Sequence, residues 1–181
     1  NDLGFKDFGI CSDGQKIDNH RFTRKMAKKL AREQRKLSRR LLLAKQRKVD
    51  ISEAKNYQKQ KQKVARLHEK VKNQRHDFLN KLSTNIIKNH DVICIEDLNI
   101  KGMMRNRKLA KSISDVSWSN FVRQLEYKAE WYGRTVIKIN RWYPSSQICS
   151  KCGHRDGKKP LNIRQWTCPN CHAHHDRDIN A

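Results

Sequence analysis

Apolar positions along this chain change period several times, and each change marks an element. Residues 2–11 (Asp-Leu-Gly-Phe-Lys-Asp-Phe-Gly-Ile-Cys) alternate as a strand does. Asp13-Gly14 has the chemistry of a two-residue hairpin turn, and Lys16 to Phe22 supplies the return strand. From Arg24 to about Lys48 the period lengthens to that of a helix, with Met26, Leu30, Leu37 and Leu41 on one face. Asp50-Ile-Ser-Glu53 has the spacing of a capping box and predicts a second helix. That helix runs to about Asn89, with Val64, Leu67, Val71, Phe78, Leu82 and Ile86 at near-heptad spacing. Two long helices joined by a short capped turn predict an antiparallel helical hairpin.

Beyond it, Val92-Ile-Cys-Ile is a continuous apolar run of β-branched type, the pattern of a strand buried on both faces, and Glu96 follows directly. Cys11 and Cys94, inside strand-like runs, read as buried thiols. Residues 99–115 show no clear period and read as a basic loop, of which Lys101 to Lys111 either shapes access to a site or is a disordered basic linker. From Ser117 to Tyr132 a helix is expected, with Trp118, Phe121, Leu125 and Ala129 as its apolar stripe and Gly133 as its stop. Arg134 to Trp142 alternates like a strand until Tyr143-Pro144 breaks it. The fold class expected is α/β with a mixed sheet.

Charge adds a partner to this picture. Lys and Arg number 41 against 18 Asp and Glu, for a formal net charge of +23 and a pI near 10.1. Between Arg21 and His90 the count is 23 against 5, so the helical hairpin holds most of the excess. Such a surface attracts nucleic-acid phosphates, with affinity that falls as salt rises. No apolar run approaches the length of a membrane span and no signal-like segment opens the chain, so no membrane partner and a cytoplasmic, nucleoid-associated location are expected.

The remaining four cysteines form Cys149-x2-Cys152-x15-Cys168-x2-Cys171. Two Cys-x2-Cys turns at that separation match a tetrahedral four-thiolate zinc site, and a full set of thiolates leaves no position open for water, which makes the zinc structural. Paired disulfides would need an oxidising compartment, for which the chain gives no support. His154, His172, His174 and His175 lie nearby and are expected on a nucleic-acid-facing surface, with Trp166 as a packing residue of the small module. Three acids also stand out in so basic a chain: Asp2 at a strand start, Glu96 at a strand end, and Asp178 after the cysteine module. Carboxylates gathered in one place repel unless a cation neutralises them, and divalent metal beside a nucleic-acid-sized basic surface points to phosphodiester cleavage.

The contexts Asp2-Leu-Gly4, Ile95-Glu-Asp-Leu98 and His175-Asp-Arg-Asp-Ile-Asn-Ala181 resemble the nuclease core of the TnpB (OrfB) transposon-encoded family, which is related to the type V CRISPR effectors. Leu125-Glu-Tyr-Lys-Ala-Glu-Trp-Tyr-Gly-Arg134, Pro144-Ser-Ser-Gln-Ile-Cys-Ser-Lys-Cys-Gly153 and Trp166-Thr-Cys-Pro-Asn-Cys171 carry the same resemblance over essentially the whole chain. It implies an RNase H-like (RuvC) fold with an inserted helical hairpin at about 24–89. The nuclease core would occupy residues 1–145, a zinc ribbon 146–175, and the start of a final helix 176–181. It implies Asp2, Glu96 and Asp178 as catalytic acids holding two Mg²⁺ or Mn²⁺ ions, with Asp178 rather than Asp176 in the third place. It also implies guide RNA and target DNA as partners, with the transposase of the same element as a further candidate.

Family members carry Gly and an aliphatic residue before the first acid and a longer final helix, where this chain has Asn1 and Ala181, so a fragment trimmed at both ends is expected. Two other readings stay open here. One is an RNA-guided DNA binder or repressor without cleavage; the other is a ribosomal-type zinc-ribbon RNA-binding protein, which leaves the three acids unexplained.

Overall fold

The computed structural model describes residues 7–160 and 162–180. The chain divides into two compact units, Arg21–Leu82 and a second made of Asn1–His20 with Ser83–Ala181.

In the first unit, α1 (Phe22–Gln46) and α2 (Lys55–Asn89, whose last turns belong to the second unit) form the expected antiparallel hairpin. Partners run in opposite directions along the two helices. Phe22 meets Phe78 edge-on at 6.1 Å, Arg75 Nη2 donates to Thr23 Oγ1 at 2.8 Å, and Arg40 Nη1 donates to Asn56 O at 2.8 Å. Between these contacts Glu33 is fully buried and accepts from Gln60 Nε2 on both its carboxylate (2.9 Å) and its backbone carbonyl (3.0 Å). The Gln60 bond, aided by Lys36 and Lys63, holds the Glu33 carboxyl down at about 2. Leu30, Leu37 and Leu41 line the half-buried side of α1, and Val64 is buried on α2, as the periodicity predicts.

The helix joint differs from the expected capping box. Asp50 Oδ1 accepts from Ser52 N (2.7 Å) and Ser52 Oγ, and Asp50 O accepts from Glu53 N and Ala54 N, so residues 50–54 form a turn that precedes the helix. Asp and Ser compete for backbone donors in turns as readily as at helix caps.

In the second unit, β1 (Asp7–Ile10) and β2 (Lys16–Asp18) form an antiparallel hairpin. Its loop has three residues instead of two. Gly14 N bonds Cys11 O and Cys11 N bonds Gln15 O, with Gly14 at φ 82°, the left-handed position that closes a three-residue hairpin. The hairpin is pinned on α5 (Trp118–Tyr132): Trp118 Nε1 donates to Phe8 O at 3.4 Å and the Phe8 and Phe121 rings meet edge-on at 5.0 Å. Trp118, Phe121, Leu125 and Ala129 are all buried, and Gly133 ends α5 in the left-handed region at φ 61°.

A parallel pair, β3 (Val92–Glu96) and β4 (Thr135–Ile139), is joined by the crossover through α5. Two expectations are corrected on β3. Ile93 and Ile95 are buried, but Val92 and Cys94 are exposed, so among the described residues the strand is buried on one face. Period-two geometry separates these sets, and an unbroken apolar run does not reveal which face lacks a covering layer. Cys11, too, is only half-buried. The expected basic loop at 99–115 is instead two helices, α3 (Ile100–Met104) and α4 (Arg107–Val116). Asn99 and Asn106 cap them by accepting from Gly102 N and Lys108 N, at 3.0 and 3.1 Å. Ile113 and Val116 are buried, and Ser117, at φ 58°, turns the chain sharply into α5.

The last third holds a 3-10 turn (Ser145–Gln147), an antiparallel pair β5 (Gln165–Thr167) and β6 (His174–Asp176), and a short α6 (Arg177–Asn180). The class is therefore mixed α/β, but among the described residues the strands form three separate two-stranded sheets and no single mixed sheet. No helix of the described residues is long and apolar enough to cross a membrane.

Candidate functional site

Glu96 is the last residue of β3, opposite Ile139 at the carboxyl ends of two parallel strands, where open α/β sheets bind ligands. Period two places it on the same face as Val92 and Cys94, both exposed. A cavity of about 290 Å³ opens beside it, walled by Asp97, Asn99, Arg141, Trp142 and Tyr143, and a second of about 350 Å³ is lined by Glu96 together with Lys101, Arg123 and Lys138. Burial pushes the Glu96 carboxyl above its ordinary value, so the ionised form lacks the solvation that a cation would replace. The ladder continues one step past the acid through Asp97 N to Ile139 O (3.2 Å), and Arg141 clamps the Asp97 carboxylate at 2.5 Å. These contacts hold the residue that follows Glu96.

Asp178 sits in the first turn of α6, with both carboxylate oxygens accepting from Arg164 Nη1 (2.8 and 3.2 Å). Asp176 has a different task. Its Oδ1 accepts from Asp178 N at 2.9 Å and Ile179 N at 3.3 Å, so it caps the helix that carries Asp178. Asp2 lies outside the described residues. Among those described, one group of three or more metal-ligating side chains comes together, and it is the cysteine set.

Cys149, Cys152, Cys168 and Cys171 have all their sulfurs within 4.8 Å of one another, with Cys149–Cys171 and Cys152–Cys168 each at 3.6 Å. Zn–S bonds of about 2.3 Å at tetrahedral angles separate sulfurs by about 3.8 Å, so the donor set fits zinc. The two halves are built alike. Gly153 N bonds Cys149 O at 2.8 Å, His172 N bonds Cys168 O at 2.9 Å, and Gly153 and His172 both take positive φ, 74° and 56°. Each second cysteine also accepts from a backbone N–H two residues on, His154 for Cys152 and Ala173 for Cys171. With the Asn170 amide, the His154 bond draws the Cys152 thiol down to about 6.

Trp166 is buried beneath this cluster, with Lys159 Nζ 3.7 Å from its ring centre and the His175 ring 4.8 Å away on centroids, which makes it the packing residue expected. His175 Nε2 lies 3.0 Å from Cys149 Sγ, so this histidine belongs to the interior of the module rather than to an outer surface. His154, His172 and His174 are exposed.

One residue escaped the sequence reading. Asn180, buried at the end of α6, accepts from Ser150 N (3.0 Å) and donates to Ile148 O (2.7 Å), tying the helix that bears Asp178 to the first cysteine turn. Its signal was the Asp-Ile-Asn string, read only for its acids. Lys128, in the middle of the Leu125–Arg134 segment, is likewise buried; it donates to Ser83 Oγ (2.8 Å) and Thr84 Oγ1 (2.7 Å), and burial lowers its ammonium pKa.

Residues 2–107 match the family described as "Probable transposase" (OrfB_IS605), and residues 118–181 match the Cas12f1-like TNB domain. The chain is 42% identical over 180 residues to the "Putative RNA-guided DNA endonuclease" of Streptomyces pristinaespiralis, covering 99% of this chain and 42% of that protein. It is 34% identical over 195 residues to the "Putative RNA-guided DNA endonuclease InsQ" of Escherichia coli K12, covering 99% of this chain and 46% of that one. "TnpB-like protein MJ1635" of Methanocaldococcus jannaschii is 30% identical over 111 residues, 60% of this chain and 25% of its own length. The chain thus spans less than half the length of these curated relatives. The transposase match alone runs over more than half of the chain, and the protein belongs to the TnpB (OrfB) family.

Proposed function

We propose that this chain is the nuclease core of an RNA-guided DNA endonuclease, with an RNase H-like (RuvC) arrangement in which Asp2, Glu96 and Asp178 hold divalent cations. The observation that carries the reading is Glu96: a half-buried acid with a raised pKa, at the carboxyl end of a parallel strand, facing cavities lined by Lys101, Arg123, Lys138 and Arg141. Carboxylate oxygens are the donors that Mg²⁺ and Mn²⁺ prefer. When bound, such ions supply activation of a water and neutralisation of the leaving oxygen in phosphodiester cleavage. Arg164 donates to both oxygens of the Asp178 carboxylate and holds it oriented until a cation competes for it. The relatives' names add guide RNA and DNA target to this reading, and the basic helical hairpin of 24–89 is suited to tracking a heteroduplex backbone. Zinc in the cysteine cluster is structural, with the module 146–175 holding α6 in place.

The test is Mn²⁺ binding by calorimetry beside cleavage of labelled single-stranded DNA, with zinc-loaded wild type and Glu96→Gln. Metal binding and metal-dependent cutting that both disappear in the variant are expected. Cutting that survives Glu96→Gln would overturn the assignment, as would the absence of both signals in a full-length relative supplied with guide RNA.

A further inference from the structure

Trp142 and Tyr143, on the wall of the cavity at Glu96, are 84% and 54% exposed. A single exposed aromatic needs no explanation, but two in succession on the wall of a cavity shared with a half-buried acid do. The turn that presents them is held at several points. Asn140 Oδ1 accepts from Trp142 N (2.9 Å), Asn140 O accepts from Tyr143 N (2.9 Å), and Arg141 is clamped to Asp97. An indole displayed on a fixed turn loses little freedom on binding a flat partner.

The surroundings select the partner. Arg141, paired to Asp97, lines both cavities at Glu96. The second also holds Lys101, Arg123 and Lys138 beside the acids Glu96, Asp97 and Glu126, with Lys138 paired to Glu126. The basic excess is small there, but the chain carries +23 overall, so a polyanion is favoured over an apolar peptide. Polyanions with flat apolar faces are nucleic acids, and only unpaired bases offer those faces. We propose that Trp142, supported by Tyr143, is a stacking platform for an unpaired base of a single-stranded nucleic acid. The aromatic-lined cavity takes the base, and the basic-lined cavity takes the adjoining phosphate. Placement of this phosphate before a reacting centre rests on the nuclease reading of Glu96; the platform itself does not. Trp142 is thus a positioning residue.

Intrinsic fluorescence tests this on the full zinc-loaded chain in buffer without added Mg²⁺ or Mn²⁺, so that no cutting accompanies binding. Trp131, the other strongly exposed tryptophan at 75%, is first changed to phenylalanine; Trp118 and Trp166 are buried. Oligothymidine is expected to quench the Trp131→Phe protein, and a duplex of the same length is expected not to. Adding Trp142→Phe should abolish the quench while largely preserving affinity. Trp142→Ala should weaken oligothymidine binding by about 5- to 100-fold at salt high enough to suppress backbone-only binding. Because the indole is so exposed, zinc content and circular dichroism should not change. Undiminished quenching without Trp142, or affinity unchanged in Trp142→Ala, would overturn the platform and leave this face to a protein partner. Loss of quenching in Trp142→Phe together with cutting that ignores Glu96→Gln would keep the platform and remove the nuclease reading.

Discussion

Replacing Asn180 by alanine should loosen the helix that carries Asp178 without touching the zinc ligands. The amide makes two bonds, accepting from Ser150 N and donating to Ile148 O, and it is buried. At about 0.5–1.5 kcal/mol net for each bond, the loss is about 1–3 kcal/mol. It falls on local opening of α6, because the four cysteines and the β5–β6 pair keep their contacts. Amide hydrogen exchange reads this directly. Asp178 and Ile179 donate their N–H groups to Asp176, and those amides should exchange about 5- to 150-fold faster in the variant. Glu33 and Gln60, in the other unit, supply the unaffected reference. Asn180→Asp keeps the acceptor for Ser150 but loses the donor to Ile148, and should fall between wild type and alanine. Equal exchange in Asn180→Ala and wild type would refute the tether, as would uniform acceleration throughout the second unit.

Four further outcomes are expected. Zinc removal by a chelator should unfold the last third while leaving the helicity of 21–82, as monitored by circular dichroism with proteolysis mapping, because the module's buried cluster is Trp166 packed with the cysteines themselves. Gly153→Ala should cost about 1–2 kcal/mol through its left-handed backbone alone, since a Cβ there meets nothing within 4 Å, and competition with a zinc indicator would register it as weaker zinc binding. Burial raises the Glu96 carboxyl above its unfolded value of 4.5, so its contribution is fully present below that pH and lost as pH rises through the folded value. Glu96→Gln should therefore raise the melting temperature of the metal-free protein at pH 7 and lose that advantage at pH below 4.5. For Glu33 the sign reverses: its carboxyl is lowered to about 2, so the stability it supplies is present above 4.5 and lost as pH falls towards 2. Glu33→Gln should melt earlier at neutral pH, with the gap closing on acidification through that window.

What the chain disclosed in advance follows a physical line. The helical hairpin was legible because its apolar stripe repeats over many turns, and the cysteine cluster because two Cys-x2-Cys pairs restrict geometry so strongly. The place of Glu96 at a strand end was legible through the apolar run ahead of it. The helices at 100–116 were hidden by basic residues that mask a short stripe of Leu109, Ile113 and Val116, although Asn99 and Asn106 were there to mark their starts. The open face of β3 was hidden because Cys94 and Val92 are as apolar as the buried Ile93 and Ile95, and hydrophobicity does not report what is stacked above it. The Asp-Ile-Asn string marks Asn180 but not its task, because its partners, Ser150 N and Ile148 O, are backbone atoms.

The parallel register of β3 and β4 also sets an order of events when the chain first collapses. Its paired residues, Val92 with Thr135 through Glu96 with Ile139, lie more than forty positions apart, with three helices in between. The helical hairpin and the β5–β6 pair close far shorter loops, so they can form before the parallel pair repays its closure entropy. Glu96, at the end of that late strand, is then among the last groups to reach its place, and a newly made chain is already clothed in its basic helices before the acid that would attract metal is set.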